Sequence, residues 1–396
     1  MIIMNKNLEY INKLLRDSFN KKRDECFLPD GFELNNLLDN NNFDLSEFKN
    51  LNFSLDGILF DNVFNLFELN RFQLLIFING FYYKNFGLDK NINFNIFKFK
   101  DNLDLFLKDN LLKDCRKKID FYSVINDFLY SDGLYLNIPS NVIIDKPICV
   151  LNLFSKTFDK CIINPKNLLY LGKNSNIKIV DICYSDSTSS KNIFVNASFS
   201  LFLDYNSTLE YCFLNKLPSI FSENFNFFSI QNENSILNTN FYSFGISNNF
   251  FDINSILKEK GSKVKMNFSK FVKSNCKDYV YVNVNHDNID TFSNIIFKGL
   301  TSDYSSCYFK GKINIDINAK KSFANLRCDG LLLSDFSQIN LYPELNIKCD
   351  DVKCFHGATV GHLDNNVLNY MSSRGFSNIE SKKILVKLNL KNKKEE

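Results

Sequence analysis

The sequence predicts a mainly β protein with helical segments at both ends, and three observations carry that reading. From Leu134 to about Cys349 apolar residues recur at every second position: Ile193, Val195, Ala197, Phe199, Leu201 and Leu203 alternate with Asn196, Ser198, Ser200 and Asp204. Val264, Met266 and Phe268, then Ile313, Ile315 and Ile317, repeat the pattern with Lys, Asn, Ser and Asp between them. Such alternation places one side-chain set on each face of a strand. Second, no long helical period interrupts this stretch. Third, helical spacing is confined to the two ends. The pattern leaves a sandwich, a barrel and a solenoid open, and the scarcity of hairpin signals, with only 14 Gly and 6 Pro, favours a coil of parallel strands.

Taken in order, Leu8, Ile11, Leu15 and Phe19 predict an amphipathic helix over residues 5–26, stopped before Pro29. After an Asn/Asp-rich loop, Leu74–Ile78 reads as a buried strand ending in an Asn79-Gly80 turn. Ser123–Phe128 reads as a short helix ending near Gly133, where the texture changes. The expected organisation is therefore a helical or mixed N-terminal domain over 1–133, a β core over 134–349, and a final strand with a helical pair over 350–396. In that last part Leu363, Val367, Leu368 and Met371 have helical spacing and Gly375 stands where a C-terminal cap belongs. Ser377-x-x-Glu380 forms a capping box for a closing helix with Ile384, Leu385 and Leu388.

Composition narrows the function classes. The 396 residues are 45% hydrophobic and 23% charged, an ordinary globular balance, and an elongated β architecture can hold one core over that length. Forty-two Phe, no Trp and abundant Asn, Lys and Ile are residues of A/T-rich codons, so genome bias explains them before any structural demand. A net charge of +3 gives no electrostatic footprint for nucleic acid, and the Lys-rich end reads as a solvated helix face. Eleven cysteines without CxxC spacing, and an opening without a secretory apolar core, predict reduced thiols in a cytoplasmic protein. The longest apolar run, Leu74–Ile78, falls far short of the roughly 20 residues that span a bilayer. No GxxxxGK[ST] loop is present, so no ATP site is expected.

The chemistry concentrates in Asp350-Asp351-Val352-Lys353-Cys354-Phe355-His356-Gly357-Ala358-Thr359-Val360-Gly361-His362-Leu363-Asp364, which holds two of the three histidines. Cys354 and His356 are two apart, on one face of a strand, and thiolate with imidazole suits iron and iron–sulfur ligation. Adjacent Asp350 and Asp351 point to opposite faces and do not form an acid/base pair. Cys349 and Cys354, five apart, also face opposite ways and make no private metal site. His362 reads as a surface residue and His286 as a structural one.

This stretch, with Leu331-Leu332-Leu333-Ser334 and Pro343-Glu344-Leu345 before it and Tyr370-Met371-Ser372-Ser373-Arg374-Gly375 after it, resembles the signature of the SufB/SufD family, in its SufD wording. Weaker matches are the Asn79-Gly80 turn, Asn164–Leu168, His286–Ser293, Phe297-Lys298-Gly299 and Phe309–Ile313; the family's Trp motif near Glu47-Phe48-Lys49 is missing. The resemblance implies a right-handed parallel β-helix flanked by N- and C-terminal helical domains. It further implies a non-enzymatic scaffold subunit of the SufBCD complex that pairs with a SufB-like subunit and docks a SufC-like ATPase through its last helices, including Leu368, Met371, Arg374 and Ile384. By the same resemblance His356 would bind the transient iron–sulfur cluster at the subunit interface, with Cys354 beside it. Cys328 falls where SufB-type members carry a sulfur-receiving cysteine, and Gly357 where they carry a glutamate, which raises a homodimer acting partly in the SufB role. Two other readings stand beside this one: a structural homodimer without cluster chemistry, and a β-helix enzyme acting on polysaccharide. The second is disfavoured because the alternating faces present Asn, Ser and Lys rather than stacked carboxylates.

Overall fold

The computed structural model describes residues 68–98, 132–154, 161–185, 193–219, 221–244, 247–363 and 365–377, with single positions between 122 and 130 and between 380 and 385. The helix expected over residues 5–26 and Glu47-Phe48-Lys49 lie outside the described residues. Early in the chain come β1 (Gln73–Ile78), β2 (Phe81–Phe86), β3 (Asn93–Lys98), β4 (Asp132–Ile138), β5 (Ile148–Leu153), β6 (Cys161–Ile163) and β7 (Lys166–Leu171). Longer strands follow: β8 (Asn176–Tyr184), β9 (Ile193–Leu203), β10 (Thr208–Lys216), β11 (Phe221–Gln231), β12 (Ile236–Ser243), β13 (Asn248–Leu257) and β14 (Lys263–Val272). The last are β15 (Lys277–His286), β16 (Phe292–Thr301), β17 (Ser306–Ile315), β18 (Ser322–Leu332), β19 (Gln338–Ile347) and β20 (Val352–His362), before helix α1 (Asn365–Ser373).

From β7 onward the chain alternates between two sheets, and every strand pairs in parallel with the strand one coil back. One sheet, A, runs β2-β1-β5-β8-β10-β12-β14-β16-β18-β20; the other, B, runs β19-β17-β15-β13-β11-β9-β7-β4-β3. The structure is thus a two-sheeted β-solenoid. Both sheets begin before residue 134, because β1 pairs in parallel with β5 and β3 pairs antiparallel with β4. The Asn79-Gly80 turn links β1 and β2 as an antiparallel hairpin, both turn residues having positive φ (51° and 83°). Flanking helical domains are not what the described residues show. Of the helix expected at 123–128 only Ser123 and Asn126 are described as helical, and the one continuous α-helix among the described residues is α1, besides a 3-10 turn at Leu69–Arg71. That helix ends in a Schellman motif: Gly375 N–H donates to Ser372 O at 3.0 Å and Phe376 N–H to Met371 O at 3.2 Å, with Gly375 at φ 90°. The capping box also forms, with Ser377 N–H donating to Glu380 Oε2 and Glu380 N–H to Ser377 Oγ.

In-register stacking makes the interior a set of columns. Phe213, Phe241, Phe268 and Phe297 occupy successive rungs of sheet A, and Phe241 lies flat on Phe268 with centroids 4.8 Å apart. Phe225, Phe227, Phe251 and Phe309 answer from sheet B, and Phe297 stacks on Phe309 at 4.2 Å. These rings are almost wholly buried, so the Phe-rich composition supplies the bulk of a core without Trp.

The turns explain how a glycine-poor chain coils. A left-handed residue sits at each of the six passages from sheet B to sheet A between β7 and β18: Asn174, Asn206, Asn234, Gly261, Asp290 and Lys321, with φ between 53° and 70°. Asn and Asp tolerate this region best after Gly. A buried hydroxyl follows each of them, and Ser207, Ser235 and Ser262 donate to the carbonyl three residues back at 2.7 Å. Asn206 Nδ2 further donates to Asn174 Oδ1 on the coil before (2.9 Å). Asn206→Val is expected to lower stability by roughly 1–2 kcal/mol in urea unfolding, because a β-branched residue resists the left-handed region, whereas Asn206→Gly should lose only the ladder bond, about 1 kcal/mol or less.

Candidate functional site at the open end

β20 is the last strand of sheet A and β19 the last of sheet B. Register places Cys354 on Ala324, His356 on Leu326, Ala358 on Cys328 and Val360 on Gly330. Ala324, Leu326 and Cys328 are inward-facing core residues with no exposed surface. Cys354 and His356 therefore share the inner face, as their spacing predicts. His356 caps the column Tyr211, Thr239, Met266, Ile295 and Leu326, while Cys354 caps Leu237, Val264, Ser293 and Ala324. Among the described residues no strand of sheet B lies beyond β19 to cover them, so His356 is exposed and Cys354 half-buried. A histidine at a core position of a continuing coil would be desolvated; at the last coil it meets solvent.

The three candidate ligands are differently available. Cys328 is buried beneath Ala358, and burial followed by the neighbouring Asp329 pushes its thiol up to about 12. Burial also raises the Cys354 thiol, though its surface is partly open. Cys328 thus lies one strand below the His356 face as a protonated core side chain, and the thiolate a metal requires is disfavoured there. Gly357 points into open space. Asp350 and Asp351 are exposed in the bend before β20, where Asp351 O accepts a hydrogen bond from Lys321 N–H at 2.6 Å. Cys349 is buried, and no group of three or more His, Cys, Asp and Glu able to hold a metal occurs among the described residues.

His286 lies in the interior, its ring nitrogens 2.7 Å from Thr291 Oγ1 and Ser293 Oγ, and burial lowers its pKa to about 4. His362 ends β20 and is exposed. In the C-terminal helical part Leu368 is buried, Met371 and Ile384 are half-buried, and Arg374 is exposed with its guanidinium 5.3 Å from the Tyr370 ring. No helix among the described residues is long and apolar enough to cross a membrane.

Residues 154–388 match the family model described as SUF system FeS cluster assembly, SufBD core domain. The chain belongs to the SufB/SufD family. The match spans strands β6 to β20, the open end and α1, and so contains every candidate ligand above. Among curated relatives, the iron–sulfur cluster assembly protein SufD of Escherichia coli is 33% identical over 91 residues, 23% of this chain and 22% of that one. An iron–sulfur cluster assembly SufBD family protein of Synechocystis is 33% identical over 94 residues, 24% of this chain and 21% of its own. A SufBD family protein of Guillardia theta is 34% identical over 85 residues, 22% and 18% respectively. The chain spans about a fifth of the length of these relatives.

Sequence reasoning missed one group of residues. Glu223, Lys270 and Asp278 are inward and buried. The signal was present, since continuing Val264, Met266 and Phe268 by one step of two puts Lys270 on the same inner face.

Two measurements check the site's geometry. In the native protein Cys354 should react with a maleimide, whereas Cys328, about 10⁻⁴ thiolate at pH 8 and covered, should react only after unfolding. His286 stays neutral in the fold down to about pH 4 while the unfolded chain protonates it from 6.5 downward, so its contribution is present above 6.5 and lost as pH falls to 4. The stability advantage of the parent over His286→Gln should therefore shrink by up to roughly 3 kcal/mol across that window.

Proposed function

We propose that the chain is a scaffold subunit for iron–sulfur cluster assembly, without catalytic activity of its own, that presents His356 at a subunit interface. The observation that carries this reading is the exposed inner face of β20, where imidazole and a half-buried thiol stand side by side at the end of a core column. Among the described residues β19 and β20 are the edge strands of this end, which a further chain could extend, and a SufB-like subunit is the partner the family suggests. The iron–sulfur cluster is cargo of that interface; His356, with Cys354 beside it, would hold iron or the nascent cluster. A SufC-like ATPase would dock on the C-terminal helices, Arg374 and Tyr370 offering the exposed surface while buried Leu368 anchors α1. The cytoplasm, where free thiols stay reduced, is the compartment that suits this role.

Cys328 takes no part in cluster binding in this reading, because burial keeps its thiol protonated. The test is co-expression with SufB-like and SufC-like partners, purification by a tag on this chain, and anaerobic reconstitution followed by visible absorbance. The parent should co-elute with its partners and develop cluster colour; His356→Ala should co-elute but lose most of the absorbance, and Cys328→Ala should keep it. Equal colour in parent and His356→Ala would overturn the ligand role, and a chain that elutes alone would overturn the scaffold role.

A further inference from the structure

One line of the interior is polar. In sheet A the inward positions Cys183, Asn215, Ser243, Lys270 and Gly299 are in register; in sheet B the positions Glu223, Asn249, Asp278 and Cys307 are in register. The two lines meet across the core. Asn215 Nδ2 donates to Glu223 Oε2 and lies 3.3 Å from Asn249 Oδ1, and Asn249 Nδ2 lies 3.4 Å from Asp278 Oδ2.

At the centre stands Lys270, with no exposed surface. Its Nζ is 3.5 Å from Asp278 Oδ2 and 3.2 Å from the centroid of the Phe251 ring, and no hydrogen-bond acceptor satisfies it. Asp278 Oδ1 and Glu223 Oε1 are also buried without a donor. A buried ion pair gains from its Coulomb attraction only when hydrogen bonds satisfy its remaining atoms, and here they do not. Burial lowers the Lys270 pKa and raises that of Asp278, moving each group toward its uncharged form against the attraction between them. Burial likewise pushes Glu223 up to about 8, against the influence of Lys270 and Asn215, so it holds a proton at neutral pH.

A primary amine and a carboxyl at contact distance in a dry site are the components of amide condensation. In water the reaction is opposed because ammonium and carboxylate must first be neutralised and stripped of solvent. In this interior folding has removed the solvent and lowers the cost of neutralising the pair. We propose that Lys270 and Asp278 condense into an intramolecular isopeptide bond.

The Nζ lone pair attacks Asp278 Cγ and a C–N bond forms. One Nζ proton passes to the departing hydroxyl as the Cγ–O bond breaks. One water leaves, the nitrogen keeps one hydrogen, and no atom is oxidised or reduced. Fixed side chains replace diffusion, the advantage that makes positioned groups react at high effective concentration. The bond would fasten the end of β14 to the start of β15, tying sheet A to sheet B across one corner of the solenoid.

The experiment is mass spectrometry of the purified full-length chain under denaturing, reducing conditions, followed by tryptic digestion. The parent should be lighter than its sequence by one water, and the digest should contain a branched peptide joining residues 266–273 to the peptide that starts at Asp278. Asp278→Ala and Lys270→Met should both give the full sequence mass and no branched peptide. A parent at full sequence mass, or a loss of water without the branch, overturns the proposal. So does loss of ammonia, which would mark attack on Asn249 instead. The parent spectrum decides even if a variant fails to fold.

Discussion

Strict parallel register governs this molecule. Because each strand lies on the one a coil earlier without a shift, every inner side chain must be compatible with the residue directly above and below it, and the core becomes a set of columns rather than a shared pool. Columns reward repetition: flat rings pack on flat rings, as Phe241 does on Phe268. They also separate chemistries, since a change in one column is felt mainly along that column. A Phe-rich vocabulary fits such a core well, because the same residue can be reused coil after coil.

Stacked coils must also stop, and stopping is where function becomes possible. Among the described residues the last rungs at the N-terminal end are antiparallel, with β2 on β1 and β3 on β4. At the other end the described parallel ladder ends at β19 and β20, and the side chains diminish toward it: the column Phe268, Phe297, Cys328 and Ala358 falls from aromatic to methyl. The neighbouring column does the reverse, ending in His356 after a run of mostly apolar residues. An imidazole in the middle of the stack needs hydrogen-bond partners, as His286 has in Thr291 and Ser293, whereas His356, on a column whose neighbouring rung is Leu326, meets solvent at the open end.

How much of this the sequence disclosed follows from the same geometry. Period-two alternation was legible because each strand displays it by itself, and the pairing of Cys354 with His356 on one face followed from spacing alone. The coil repeat was not read, although it is written in the turns as Asn174-Ser175, Asn206-Ser207, Asn234-Ser235, Gly261-Ser262, Asp290-Thr291 and Lys321-Ser322. Several residues can adopt the left-handed conformation, so the repeat is conserved in backbone shape and blurred in letters. The low glycine count pointed to a coil of parallel strands but did not locate its turns, because asparagine, aspartate and lysine occupy all but one of these left-handed positions. The burial of Cys328 was beyond a motif comparison, which aligns positions but does not say which column a side chain joins.

The polar line and the open end belong to one interior yet are kept apart. Beyond Lys270 its own column continues through Gly299 and Gly330 to Val360, so side chains vanish where a polar line would otherwise run on toward β20. The space is taken by neighbours: a Cβ on Gly299 would come within 2.8 Å of the Phe297 ring, and one on Gly330 within 3.0 Å of Ile339. Apolar atoms therefore seal the buried amine and its acids from the face that carries His356. Substitutions at Lys270, Asp278 or Glu223 should act on how firmly the sheets are held, and substitutions at His356 on what the end of the solenoid can bind. The fold thereby lets one chain combine a tightly fastened middle with a chemically open terminus, because register confines each chemistry to its own stretch of column.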